Sequence, residues 1–233
     1  MSLQGRSKKW DFKEGVMPKA ILIDFDGTII NSEDPIIDTI LFCFKKSVGI
    51  KVDRMQITKM FGLPIDFMFQ KLAEDEFSQI NLDSFIKCYE KMYTEIITRS
   101  NLRPGALNFL KEAKKKLIKI VLITNERSKN VIFSLKYFDI ESFFNAIVVR
   151  EEVSNFKPSP QPLLLGIRKV KESVKDCIYI GESPYDIEAG KAAGMFTVAL
   201  VTDLWPKEIL TKNKPDVILE NFREVCDLFV KKN

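Results

Sequence analysis

Short apolar runs rich in β-branched residues alternate with segments of helical character along most of the chain. Apolar runs separated by helices in this way are typical of parallel strands that are buried on both faces. We therefore predict an α/β fold with a doubly wound parallel sheet, that is, a Rossmann-like core. The predicted strands are residues 20–23, 118–123, 146–149, 177–180 and 197–201.

Two of the intervening helices carry start signals. Ser128 is a suitable N-cap for a helix that runs to about Phe138, and Pro184 suits the first turn of a helix that ends near Gly194. We expect both helices to pack on the predicted sheet.

A helical insertion is predicted between the first two strands, which lie about 90 residues apart. A crossover between parallel strands needs only about a dozen residues or somewhat more. Apolar side chains recur at helical spacing within residues 36–48 and again within residues 82–97, where Asn81 is a suitable N-cap. Between these two stretches, Asp53 and Gln56 have the spacing of a capping box at the start of a further helix.

The domain boundaries follow from where these patterns change. The first sixteen residues show no periodicity, and the Arg-Pro-Gly sequence at 103–105 would end the last inserted helix. We predict an N-terminal extension of residues 1–16, a core formed by residues 17–31 and 103–233, and an inserted helical subdomain of residues 32–102.

Composition narrows the possible chemistry. The 36 basic and 32 acidic residues give a net charge of +4, and the lysines are scattered, which argues against a nucleic-acid partner. No stretch suits a membrane span or a secretory signal, so we expect a cytoplasmic protein without membrane contact. Because the chain contains no histidine, Ser-His-Asp catalysis and HExxH zinc sites are excluded. The four widely spaced cysteines form neither a CxxC pair nor a zinc pattern.

Polar side chains follow the first two predicted strands, at the edge of the sheet where open α/β folds bind ligands. Asp24 and Asp26 come after the first strand, and their alternation aims both carboxylates the same way, while Gly27 allows a tight turn. Thr124 and Asn125 follow the second strand, just before a helix whose free N–H groups would favour an anion. The pattern predicts a phosphate site beside two carboxylates.

The next two strands add a cation and further carboxylates. Lys157 lies in the loop after the third strand, and Glu182 and Asp186 follow the fourth. Carboxylate oxygens are the ligands that hard divalent cations prefer. Because these residues come in order, each beyond a strand or in its following loop, we predict one shared site.

Together, DFDGT at 24–28, Thr124, Lys157 and GESPYD at 181–186 resemble the motifs of the haloacid dehalogenase superfamily. The resemblance spans residues 19–201, and the helical insertion matches the cap that this superfamily places after its first motif. In cap placement and in the stretch GESPYDIEAGKAAG, the phosphoglycolate-phosphatase-like and pyrophosphatase-like branch is the nearest match.

The resemblance implies a phosphatase that hydrolyses a small phosphorylated metabolite. Asp24 would be the nucleophile that forms an aspartyl-phosphate, and Asp26 would be the general acid and then the general base. Thr124, the amide of Asn125 and Lys157 would hold the phosphoryl oxygens.

The same resemblance implies a Mg²⁺ ion as the cofactor. Its ligands would be Asp24, the backbone carbonyl of Asp26, and the acidic pair Glu182 and Asp186. The superfamily usually has aspartate where this chain has Glu182, so this residue could bind through water and leave Asp186 as the direct ligand.

A turn between two inserted helices, residues 59–64, resembles the loop that reaches toward substrate in this superfamily. Lys59 and Gly62 are therefore candidate substrate residues, and Lys59 and Arg54 could meet an anionic leaving group. An ordinary connection between two helices explains the same sequence equally well.

Other activities share parts of this pattern. A sugar-phosphate mutase would have all four motifs, and a binding protein with weakened turnover would retain the fold, with Glu182 as the altered position. A phosphonate hydrolase would need a cap lysine such as Lys45, Lys46 or Lys59, for which a solvated charge is the simpler role. A dehalogenase would act without magnesium and would not need Asp26.

Overall fold

The structure is a computed structural model that describes residues 17–73 and 78–228. The predicted extension of residues 1–16 lies outside the described residues. The strands of the structure are β1 (Ala20–Ile23), β2 (Lys119–Ile123), β3 (Ala146–Val148), β4 (Cys177–Gly181), β5 (Phe196–Leu200) and β6 (Val217–Leu219). They form one parallel sheet in the order β3-β2-β1-β4-β5-β6.

Strand β1 lies in the middle of the sheet, between β2 and β4. Ile21 is opposite Ile120 on one side and Ile178 on the other. All four residues of β1 are buried, because helices cover both faces of the sheet. This burial explains why the strands appear in the sequence as uninterrupted apolar runs.

Among the described residues, five α-helices lie between β1 and β2, and the others follow β2. The helices are α1 (Glu33–Cys43), α2 (Arg54–Met60), α3 (Ile65–Leu72), α4 (Gln79–Arg99), α5 (Ala106–Lys115), α6 (Ser128–Tyr137), α7 (Gln161–Val170), α8 (Pro184–Ala192), α9 (Lys207–Lys212) and α10 (Phe222–Leu228). The predicted α/β fold with a helical insertion is confirmed. The proposed boundaries of the insertion, residues 32–102, stay a prediction.

A cluster of aromatic rings holds the inserted helices together. Phe44 lies in a short π-helical continuation of α1, Phe69 in α3 and Phe85 in α4. Their ring centroids are 4.7 to 5.2 Å apart, and all three side chains are fully buried. Aromatic pairs of this kind contribute about 0.5–1.5 kcal/mol each beyond their burial. The cluster therefore fixes the helices that cover the carboxyl edge of β1.

Helix starts agree with the sequence at α2 and α8, where Pro184 is the first residue as predicted, and differ at α4 and α6. The capping box of Asp53 and Gln56 is present at α2. Helix α4 begins earlier than predicted, with Ser78 as the N-cap accepting a hydrogen bond from the backbone of Asn81, so the choice of Asn81 was wrong. Ser128 is the first residue of α6 and not its cap, because Arg127 has the extended backbone of the N-cap position.

Two further predictions can be compared with the described part of the chain. None of its helices has both the length and the apolar character needed to cross a membrane. The four cysteines are all free, with Cys43 and Cys177 buried and Cys88 and Cys226 half-buried.

Candidate active site

The turn after β1 brings Asp24 to the carboxyl edge of the sheet. The backbone N–H of Asp24 donates to the carbonyl of Ile180 at 3.0 Å, and the Asp24 residue is only 4% exposed. Gly27 has φ +83°, and a Cβ there would lie 2.7 Å from Oε1 of Glu182. Glycine is therefore required at this position by both conformation and space.

Lys157 lies between two of the predicted carboxylates. Its Nζ contacts Oδ1 of Asp24 and donates to Oδ1 of Asp186 at 2.7 Å. The side chain is 2% exposed. Burial lowers the pKa of Lys157, but Asp186 and Asp24 outweigh burial, so the pKa lies above its ordinary value. Lys157 is therefore a fixed cation in the centre of the site.

Asp186 has both carboxylate oxygens engaged. Oδ1 accepts from Lys157 and from the hydroxyl of Tyr179 at 2.6 Å, and Oδ2 accepts from the backbone N–H and the hydroxyl of Ser183 at 3.0 and 2.6 Å. Burial raises its pKa, but Lys157 and these hydrogen bonds leave the pKa below its ordinary value. Asp186 is therefore a carboxylate that accepts hydrogen bonds from four donors.

Glu182, which directly follows β4, differs from Asp186 in having only one of its two carboxylate oxygens hydrogen-bonded within the described part of the chain. The hydroxyl of Thr28 donates to its Oε2, whereas its Oε1 is buried and has no hydrogen-bond partner among the described residues. Burial and then the charges of Asp24 and Asp186 raise its pKa well above the ordinary value. An orphaned buried carboxylate oxygen is costly, so this atom is suited to a ligand that the protein itself does not supply.

The donor set around this oxygen fits a hard divalent cation. Asp24, Glu182 and Asp186 can each offer one oxygen such that all three atoms lie within 4.8 Å of one another. Oxygen-only clusters of this kind suit Mg²⁺ or Ca²⁺ rather than thiolate-preferring metals. Three of the four residues that the sequence predicted as ligands are therefore close together in space.

Asp26 faces the same cleft as Asp24. Its Oδ1 accepts a hydrogen bond from the hydroxyl of Ser32 at 2.8 Å. Burial, and then the charge of Glu126, raise the pKa of Asp26 well above its ordinary value. Burial also raises the pKa of Asp24, to about 6, against the opposing effect of Lys157. Asp26, like Glu182, is thus a carboxyl group with a tendency to hold a proton.

Thr124 and Asn125 line the cleft at the end of β2. The hydroxyl of Thr124 accepts from the backbone N–H of Glu126 at 3.0 Å. The side-chain amide of Asn125 donates to the carbonyl of Gly62 at 2.7 Å, and its oxygen accepts from the backbone N–H of Lys157 at 3.2 Å. The Asn125 side chain therefore joins the inserted helices to the core.

The start of α6 differs from the predicted anion seat. The carboxylate of Glu151 accepts from both the backbone N–H and the hydroxyl of Ser128. The backbone N–H of Arg127 is likewise taken by the side chain of Glu126. These two N–H groups at the helix terminus are thus occupied by carboxylates of the protein itself.

The turn between α2 and α3 contributes Gly62 to the cleft but not Lys59. Gly62 has φ +100°, and a Cβ there would lie 3.4 Å from the hydroxyl of Ser183. Lys59 is exposed and does not line the cleft, and its carbonyl accepts from the hydroxyl of Tyr185. Arg54 is paired with Asp34 and Asp38.

Two polar residues that the sequence did not suggest as site residues also line the cleft. Glu126 directly follows Thr124 and Asn125, so its place at the carboxyl end of β2 was a usable signal. Tyr89 belongs to the apolar stripe of α4 and was interpreted as core. Its ring is buried, but its hydroxyl donates to Oε2 of Glu126 at 3.1 Å.

Comparison with known proteins agrees with this architecture. The family model described as haloacid dehalogenase-like hydrolase matches residues 21–200. A protein provisionally named pyrophosphatase PpaX from Caldanaerobacter subterraneus subsp. tengcongensis is 30% identical over 209 residues, which cover 90% of this chain and 93% of the relative. A relative with the same provisional name from Clostridium perfringens is 30% identical and covers 93% of this chain and 100% of its own length.

A solved structure shows the same fold. The crystal structure of a predicted phosphoglycolate phosphatase from Haemophilus somnus 129PT superposes with a TM-score of 0.81 at 24% identity, covering 91% of this chain and 98% of that one. The chain belongs to the haloacid dehalogenase-like hydrolase family.

Proposed function

We propose that this chain is a Mg²⁺-dependent phosphatase that hydrolyses the phosphate ester of a small metabolite through an aspartyl-phosphate on Asp24. One observation carries the proposal. The buried Asp24 carboxylate contacts the Lys157 ammonium and lies in the same cluster as Oε1 of Glu182, which has no hydrogen-bond partner among the described residues. The names of the relatives, pyrophosphatase and phosphoglycolate phosphatase, support phosphoryl transfer from a small substrate.

Asp24 is suited to attack phosphorus. An oxygen of its carboxylate forms a bond to phosphorus, and the bond from phosphorus to the ester oxygen breaks. Lys157 contacts Asp24 directly, so its charge would reduce the repulsion between this carboxylate and the anionic substrate. Splitting hydrolysis into two displacements replaces one difficult step by two easier ones.

Asp26 is suited to move the proton in both displacements. Its raised pKa favours the protonated form, which gives a proton to the departing alcohol. The resulting carboxylate then takes a proton from a water molecule that attacks the phosphorus of the aspartyl-phosphate. Inorganic phosphate leaves, and Asp24 is regenerated as a carboxylate.

The metal would be held by Asp24, the backbone carbonyl of Asp26 and Glu182. When bound, Mg²⁺ would stabilise negative charge on the transferring phosphoryl group. Asp186 belongs to the same cluster, but its oxygens already accept four hydrogen bonds. We infer that Asp186 orients Lys157 without being a direct metal ligand, while Glu182 binds the metal directly.

Thr124 and Asn125 are proposed to bind the phosphoryl group from the end of β2. The Thr124 hydroxyl lines the cleft, and the Asn125 side chain links the cleft to Gly62 of the inserted turn. Closure of the inserted helices over the substrate would exclude bulk water. The exposure of Lys59 gives no support to a substrate role for this residue.

The test is release of inorganic phosphate from a panel of small phosphate esters, with and without Mg²⁺. We expect release that requires Mg²⁺ and that is lost in Asp24→Asn. The matched control is Asp176→Asn, because Asp176 pairs with Lys19 just before β4, at the opposite edge of the sheet. Isomerised sugar phosphate without net phosphate release would indicate a mutase, and no turnover of any ester would indicate a binding protein.

A further inference from the structure

The cleft that leads to Asp24 is narrow and largely apolar. It encloses a cavity of about 50 Å³ between the inserted helices and the sheet. Beyond the phosphoryl site, its walls are mostly the side chains of Ile36, Ile40, Phe61, Leu63, Ile65 and Met68. The polar groups on these walls are the Tyr89 hydroxyl and the Glu126 carboxylate. Apart from Lys157 at the phosphoryl site, no lysine or arginine in the described part of the chain lines this cleft.

The Glu126 carboxylate is held in place on one side and available on the other. Its Oε1 accepts from the backbone N–H of Arg127 at 2.7 Å and from the Asn130 amide at 3.0 Å. Its Oε2 accepts from the Tyr89 hydroxyl at 3.1 Å. A carboxylate oxygen offers about two acceptor positions, so Oε2 retains one for a further donor.

Arg127, which directly follows Glu126, and Arg150 both form ion pairs with other residues. Arg127 forms an ion pair with Glu90 at 3.7 Å. Arg150 forms an ion pair with Asp66 at 3.5 Å and does not line this cleft. A leaving group beyond the phosphoryl site therefore meets apolar walls and the Glu126 carboxylate, whose pKa is raised by burial against the opposing effect of its three hydrogen bonds.

We propose that Glu126 determines substrate specificity, an inference that rests on the phosphatase activity proposed above. Its carboxylate selects a leaving group that carries a hydrogen-bond donor, an ammonium or a hydroxyl, on a small and partly apolar frame. It disfavours leaving groups that are anionic, such as a carboxylate or a second phosphate, because like charges repel in a desolvated cleft.

Three esters with two-carbon leaving groups test this directly: aminoethyl phosphate, hydroxyethyl phosphate and phosphoglycolate. They differ mainly in a terminal ammonium, hydroxyl or carboxylate. For the wild-type protein with Mg²⁺, we expect kcat/KM to fall in that order, and pyrophosphate to be a poor substrate. In Glu126→Gln, the ratio of kcat/KM for aminoethyl phosphate to that for phosphoglycolate should fall about tenfold, which corresponds to about 1.4 kcal/mol.

The ratio separates specificity from a merely structural role. Any effect of Glu126 on Asp26 changes the turnover of both esters and largely cancels in the ratio. Glu90→Gln is the matched control, because it removes the same charge from a nearby half-buried position outside the cleft. Its ratio should equal that of the wild type.

The outcomes distinguish this inference from the proposed function. Faster hydrolysis of phosphoglycolate or pyrophosphate than of aminoethyl phosphate would overturn the role of Glu126 and leave the phosphatase activity intact. An unchanged ratio in Glu126→Gln would do the same. Absence of phosphate release from all these substrates and from p-nitrophenyl phosphate would overturn both.

Discussion

Replacing Lys157 by methionine tests whether the site is a desolvated cluster of charges. Methionine fills a similar volume without a charge, and it leaves Asp24 and Asp186 buried without their shared cation. All three side chains are at most 6% exposed. Removing one partner of a buried ion pair typically costs about 3–5 kcal/mol. We expect Lys157→Met to lower the free energy of unfolding by about this amount at pH 7.5 in metal-free buffer.

The loss should shrink at lower pH. Burial raises the pKa of Asp24 from 3.8 to about 6, and burial also raises that of Glu182. The folded state therefore binds more protons than the unfolded state between about pH 4 and 6, so stability falls as pH rises through this window. For Asp24 alone the shift corresponds to about 3 kcal/mol. Without Lys157 the pKa of Asp24 rises further. At pH 5.5 more of Asp24 is then protonated, so the free-energy cost of burying its unpaired charge is smaller.

Urea unfolding followed by circular dichroism at pH 7.5 and 5.5 measures both effects. Lys175→Met is the matched control, because Lys175 is exposed, and its stability should change by no more than about 0.5 kcal/mol. A loss below about 1 kcal/mol at pH 7.5 in Lys157→Met, or an equal loss at both pH values, would refute the reasoning.

Three further outcomes are expected. Glu182→Gln should weaken Mg²⁺ binding at least about tenfold in calorimetric titration, because it removes the charge of the proposed ligand, and unchanged affinity would exclude direct ligation. Wild-type Mg²⁺ affinity should fall as pH drops below about 6, where Asp24 takes up a proton, and a flat profile from pH 7.5 to 5.5 would contradict that pKa. Gly27→Ala should lower the free energy of unfolding in urea by at least about 1–2 kcal/mol, since alanine is strained at φ +83° and its Cβ would contact Glu182. An unchanged free energy of unfolding would contradict the backbone conformation described for Gly27.

The sequence was sufficient for the central strands because they are buried on both faces, so burial appears as uninterrupted apolar runs. Strand β6 (Val217–Leu219) was missed, since it is only three residues long and half-buried at the edge of the sheet. The cap of α4 was misplaced because several polar residues precede the apolar stripe, and only the backbone conformation singles out Ser78.

The positions of the site residues were predictable because parallel strands present their carboxyl ends at one edge of the sheet. Their environments were not. The hydroxyl of Tyr179 reaches Asp186 from within a strand that appeared to be purely apolar. The contact of Tyr89 with Glu126 likewise depends on how the inserted helices sit on the core, which no local pattern encodes.

The most direct test of the account is to trap the phosphorylated intermediate. The protein would be mixed with Mg²⁺ and p-nitrophenyl phosphate, quenched in acid during turnover, digested and analysed by mass spectrometry. We predict a hydroxylamine-labile phosphoryl group on Asp24, and its absence in Asp24→Asn together with loss of phosphate release. A phosphoryl group on another residue, or undiminished phosphate release by Asp24→Asn, would contradict the account.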